Sequence, residues 1–135
     1  MLQATAIKLP TADAVAVYAA AVIDHFDRPR NAGRLQPAPD VIEGSAGRRT
    51  DGVEFHFTAR VAGDVIDAVR VRTFGCPHSV AAASWLSERL VGMTRAQLQQ
   101  WQWREAAQAL EVPTEKRGRL LVLEDAVRAL ARSWG

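Results

Sequence analysis

Val53-Glu54-Phe55-His56-Phe57-Thr58-Ala59-Arg60-Val61 is the clearest pattern in the chain. Val53, Phe55, Phe57, Ala59 and Val61 alternate with Glu54, His56, Thr58 and Arg60. A period of two is that of a strand with one dry face and one wet face. Ala62-Gly63-Asp64 follows as a turn. Val65 to Phe74 then reads as the return strand, with Val69 and Val71 inward and Arg70 and Arg72 outward. Asp67 breaks the alternation near its entry. The connection is too short for a parallel crossover, so the two strands pair antiparallel.

The return strand runs into Gly75-Cys76-Pro77-His78, and then into small residues that read as helix. Proline suits the first helical position, where its missing N–H would be unpaired anyway. Cys76 therefore sits at or beside the N-cap. Orphan N–H groups and the positive end of the helix dipole favour its thiolate, the nucleophilic and metal-binding form. Gly75 permits a tight, left-handed turn before it. A free cysteine is otherwise a small buried hydrophobe, and both readings stand at this point.

Working outward toward the N-terminus, Arg34 to Arg49 has two prolines, two glycines and no clear period. It reads as loop with one short edge strand near Val41. Asp27 to Gly33 is a break. Thr11 caps a helix over about Ala12–Phe26, with Val15, Tyr18, Ala19, Val22 and Phe26 on one face. Residues 1–10 read as a flexible arm, which leaves 11–135 as a single domain.

Toward the C-terminus, the helix from Pro77 ends near Gly92. Thr94 with Gln97 fits a capping box for a short helix. Trp101 and Trp103 flank a break, Arg104–Glu111 is a further short helix, and Val112-Pro113-Thr114 is loop. The last helix covers about Lys116–Ser133, with Leu120, Leu123, Val127, Leu130 and Trp134 on one stripe. Helix, hairpin, then helices gives an α+β domain: a small antiparallel meander of two to three strands with helices over one face. The four tryptophans and the aliphatic stripe read as packing rather than as a cofactor groove.

Composition narrows the function. The chain has 135 residues and is 48% hydrophobic, enough for one sizeable core. Net charge is only +2, with acids and bases interspersed, so no nucleic-acid footprint emerges. No apolar run approaches a membrane span, and the start lacks the order of a secretory signal. One cysteine excludes an internal disulfide framework and makes a reducing, cytoplasmic setting the expectation.

Val22-Ile23-Asp24-His25-Phe26-Asp27-Arg28-Pro29-Arg30-Asn31-Ala32-Gly33 resembles the opening signature of the iron–sulfur cluster assembly scaffolds of the IscU type, or N-terminal NifU type. So do Thr73-Phe74-Gly75-Cys76 with its small-residue helix, and Glu124-Asp125-Ala126-Val127-Arg128-Ala129. The resemblance covers about residues 15–133. It implies a nascent cluster held by three cysteines and an aspartate, sometimes with a histidine, and sulfur delivered by a cysteine desulfurase. Position by position, it implies that Cys76 is the middle cysteine and Asp51 the aspartate. The other two cysteines would fall at Arg49 and Arg119, and the histidine at Gly118. The chaperone-recognition motif would fall at Val112-Pro113-Thr114-Glu115-Lys116, with one of its two prolines gone. The frame is kept and most of the ligand set is replaced.

Iron–sulfur clusters need about four ligands, mostly thiolates, and zinc needs three or four. One chain offers Cys76, Asp51 and His78 toward a transient cluster, iron or zinc. That is too few for a cluster held stably by one chain, although a homodimer would bring two sulfurs. His78 also reads as a solvated first-turn residue, His56 as surface and His25 as structural. Arg49 and Arg119, if they approach Cys76, favour an anion and repel metal cations. Three functions remain open: an assembly scaffold with a degenerate site, a sulfur acceptor that takes a persulfide on Cys76 from a desulfurase, and a non-catalytic regulatory module. A related sulfur-acceptor family of the SufE type shares this fold and works with one cysteine, placed elsewhere in the chain order. A hydrolase is disfavoured, because no histidine base with an orienting partner can be named.

Overall fold

The computed structural model describes residues 6–9 and 16–135. Strands β3 (Val41–Arg48), β4 (Val53–Ala62) and β5 (Val65–Phe74) form an antiparallel meander in the order β3-β4-β5. The turn between β4 and β5 centres on Gly63, whose φ of +64° suits glycine. Asp67 is the extra residue of a bulge: Arg60 pairs with Ala68, while Val61 pairs with Ile66. That bulge restores Ile66, Val69 and Val71 to the dry face, and it explains the broken alternation. Asp67 itself accepts a 2.8 Å bond from Arg60.

Helix α2 (Pro77–Leu90) lies along β5, and α5 (Gly118–Arg132) lies over β3 and β4. Short helices α3 (Arg95–Gln100) and α4 (Arg104–Ala109) close the layer, with α3 against α5 and α4 touching both α2 and α5. Thr94 and Gln97 make the reciprocal capping box of α3. The core between the layers holds Phe55, Phe57, Leu86, Leu90, Leu123 and Leu130, all fully enclosed. Trp101 is buried there, while Trp85, Trp103 and Trp134 pack at its margin.

Two stretches differ from the sequence reading. The edge strand near Val41 is eight residues long rather than a short piece in a loop. Its glycines hid it, and Gly44 is there because α5 crosses so closely that a Cβ would meet the Leu130 backbone. The first helix, α1, spans only Ala20–Asp27. Ala16–Ala19 (β2) is extended and pairs antiparallel with Ala6–Leu9 (β1), part of the stretch read as an arm. Val17 and Tyr18 suit a pleated strand better than a helix. The inner face of α1 is Val22, Ile23 and His25; Phe26 is exposed. The Thr11 cap and Val15 lie outside the described residues.

After α1 the chain turns through Asn31 and Gly33, both at positive φ. There it hydrogen-bonds the outer edge of β5: Val71 N–H donates to Asn31 at 2.8 Å, and Gly33 N–H donates to Val71 at 3.0 Å. Ser84 of α2 anchors the same loop. Its hydroxyl accepts the Arg30 N–H at 2.8 Å and bonds His25 Nδ1 at 2.7 Å. His25 is thus the structural residue expected, and burial together with the Arg30 charge lowers its pKa.

Candidate functional site

Cys76 is the N-cap of α2, with Pro77 at the start of the helix. Gly75 does not take a left-handed turn. It is needed for space, since a Cβ there would stand 2.7 Å from the Ser79 Cβ. The thiol is half-buried and lies 3.6 Å from the Ser79 hydroxyl. Burial pushes its pKa up, but His78, the Ser79 side chain and N–H, and the Arg119 charge pull it down to about 6. The sulfur is therefore mostly thiolate at neutral pH, which a simple buried cysteine would not be.

His78 is not the solvated residue of the first-turn reading. It is buried, its ring centroid sits 4.8 Å from that of Tyr18, and its Nδ1 has no partner among the described residues. Arg119, in the first turn of α5, is half-buried with its Nε enclosed and likewise unpartnered. Cys76, His78 and Arg119 thus gather at the head of α2.

Arg49 and Asp51 are engaged elsewhere. The Arg49 guanidinium stacks 5.1 Å from the Phe74 ring and pairs with Glu54 at 3.3 Å. Asp51 pairs with Arg48 at 3.4 Å and is exposed. Both belong to the short 3-10 turn Arg49–Asp51 between β3 and β4. The following Gly52 carbonyl comes close to Gly75, so the loop abuts the site without turning these two side chains into it. Ser79 is the site residue that sequence reasoning passed over. Its three-residue spacing from an N-cap sulfur is the signal that could have found it.

Among the described residues no group of three or more His, Cys, Asp or Glu side chains could hold a metal ion. With one cysteine in the chain, the donor set of a single protomer does not fit an iron–sulfur cluster as cargo.

A profile described as the NifU-like N terminal domain matches residues 17–134. The chain belongs to this family. An iron sulfur cluster assembly protein 1 from Trachipleistophora hominis is 32% identical over 113 residues, covering 83% of this chain and 82% of that protein. The iron-sulfur cluster assembly scaffold protein IscU of Azotobacter vinelandii is 29% identical over 119 residues, covering 87% and 93%. Among solved structures, a putative cluster assembly scaffold protein for the SUF system from Fervidobacterium islandicum superposes with a TM-score of 0.64. It has 17% identity and covers 84% of this chain and 96% of that one, a likeness of fold. The NifU-like frame expected from the signature segments is therefore present, with its meander and its overlying helices. No helix among the described residues is long and apolar enough to cross a membrane.

Proposed function

We propose that this NifU-like protein serves iron–sulfur cluster assembly as a scaffold-family member with a degenerate site, in which Cys76 alone accepts sulfur from a cysteine desulfurase. What carries the reading is a single half-buried cysteine at a helix N-cap, whose pKa His78, Ser79 and Arg119 draw down. A thiolate suffices for sulfur transfer, whereas a cluster needs several.

The step balances without an external oxidant. The Cys76 thiolate attacks the outer sulfur of a persulfide on the donor. A new sulfur–sulfur bond forms at Cys76, the donor's sulfur–sulfur bond breaks, and its electron pair leaves with the donor thiolate. Delivery onward repeats the exchange on an acceptor thiol. The persulfide is anionic, so hydrogen bonds from His78 and Ser79 and the charge of Arg119 stabilise it as they do the thiolate. A reducing compartment such as the cytoplasm keeps the lone thiol free.

Intact mass spectrometry after incubation with a cysteine desulfurase and cysteine tests this. The expected product carries one added sulfur, releasable by a thiol reductant and absent from Cys76→Ser. A wild-type protein that gains no sulfur, while its desulfurase turns over, contradicts the proposal.

A further inference from the structure

The outer edge of β5 is only partly covered. Asn31 and Gly33 pair with Val71, and then Gly33, at φ +125°, carries the chain away. In an antiparallel ladder alternate residues aim their N–H and C=O groups to the same side. Since Val71 points its groups outward to the loop, Thr73 points outward too, and no backbone partner meets it among the described residues. Instead it lines a cleft of about 300 Å³ between the loop, β5 and α2.

The cleft has apolar walls at Pro29, Ala32 and Val80, with Arg30 and Arg72 at its sides. Asp24 is shared between two guanidiniums, those of Arg28 and Arg30. Arg30 keeps a second nitrogen, Nη1, enclosed and without a partner among the described residues. Arg72 hydrogen-bonds a ring nitrogen of His56 at 3.4 Å, and the other ring nitrogen of His56 bonds Glu43 at 2.9 Å. The charged residues of the lining are both arginines, beside a strand edge with an open donor and acceptor among the described residues.

We propose that this cleft docks an extended acidic segment of a protein partner, which continues the ladder on β5 at Thr73 and sets a carboxylate against Arg72 and Arg30. Main-chain pairing gives such a segment its grip, and the charge and the apolar walls select its side chains. The segment would lie beside the strand that leads directly into Cys76. The inference does not depend on the sulfur chemistry of that residue.

The test is a titration of the isotopically labelled full chain with a short, end-capped peptide alternating valine and glutamate, followed by amide NMR signals. Saturable shifts centred on Thr73 and Gly33 are expected. Arg72→Glu should weaken binding about tenfold, the scale of one charge-assisted hydrogen bond. N-methylation along one edge of the peptide should abolish binding to the unmodified protein, a readout that needs no variant to fold. The proposal fails if no shift appears at millimolar peptide, or if the N-methylated or a lysine-for-glutamate peptide binds equally well. It also fails if acetate alone reproduces the shifts, which would make this a small-anion site. Self-association of the chain through the same signals would overturn it in favour of a second copy.

Discussion

The sulfur of Cys76 is held by opposed effects, and their balance sets its chemistry. Burial disfavours the charged form, while His78, Ser79 and Arg119 outweigh it and bring the pKa from 9.0 to about 6. Iodoacetamide labelling should therefore rise with pH through a midpoint near about 6. Arg119→Gln should move that midpoint upward by less than about one pH unit, since its charge acts last among the causes. A midpoint at or above 9.0 in the wild type would refute this account of the sulfur's surroundings. The same lowering links to stability. The contribution of the folded-state thiolate is full above pH 9.0 and is lost as pH falls through about 6. At this scale the sequence was informative about Cys76, because Gly-Cys-Pro after a strand defines an N-cap. It could not separate Arg49 from Arg119. The resemblance implies a ligand position at each, and only packing sends one to Phe74 and Glu54 and leaves the other near the thiol.

At the scale of elements, β3 and α5 depend on each other. The strand lies so close to the helix that Gly44 has no room for a side chain against Leu130. Gly44→Ala should cost about 1–3 kcal/mol, the usual range for forcing extra volume into a packed site. Urea unfolding would show it as a lower midpoint at unchanged slope, and an unchanged midpoint would mean that the helix moves aside freely. This contact also explains why β3 was hard to read. Gly44 serves Leu130, far away in the chain, rather than a turn. The β4–β5 hairpin was readable for the opposite reason. Its pattern is local, and even the misfit at Asp67 has a local cause in the bulge. The limits of α1 escaped because Ala16–Ala19 fits a helical stripe as well as a strand, and pairing with Ala6–Leu9 decides it.

At the scale of the molecule, the helix N-termini of α2 and α5 and the Arg49–Asp51 turn meet at one end of the two-layer domain. Family relatives are named for cluster assembly, and the frame that gathers these elements is retained here. That end holds the chain's single cysteine, with the Arg119 guanidinium and the His78 ring beside its sulfur. The central claim is that the site handles sulfur as an anion on Cys76 rather than a metal cluster. It is tested most directly by the iron and sulfur content of protein purified without oxygen alongside an active desulfurase. The account predicts up to one reducible sulfur per chain, absent from Cys76→Ser, and no matching iron or acid-labile sulfide. Iron and acid-labile sulfide in cluster proportion, bound to the wild-type chain, would contradict it.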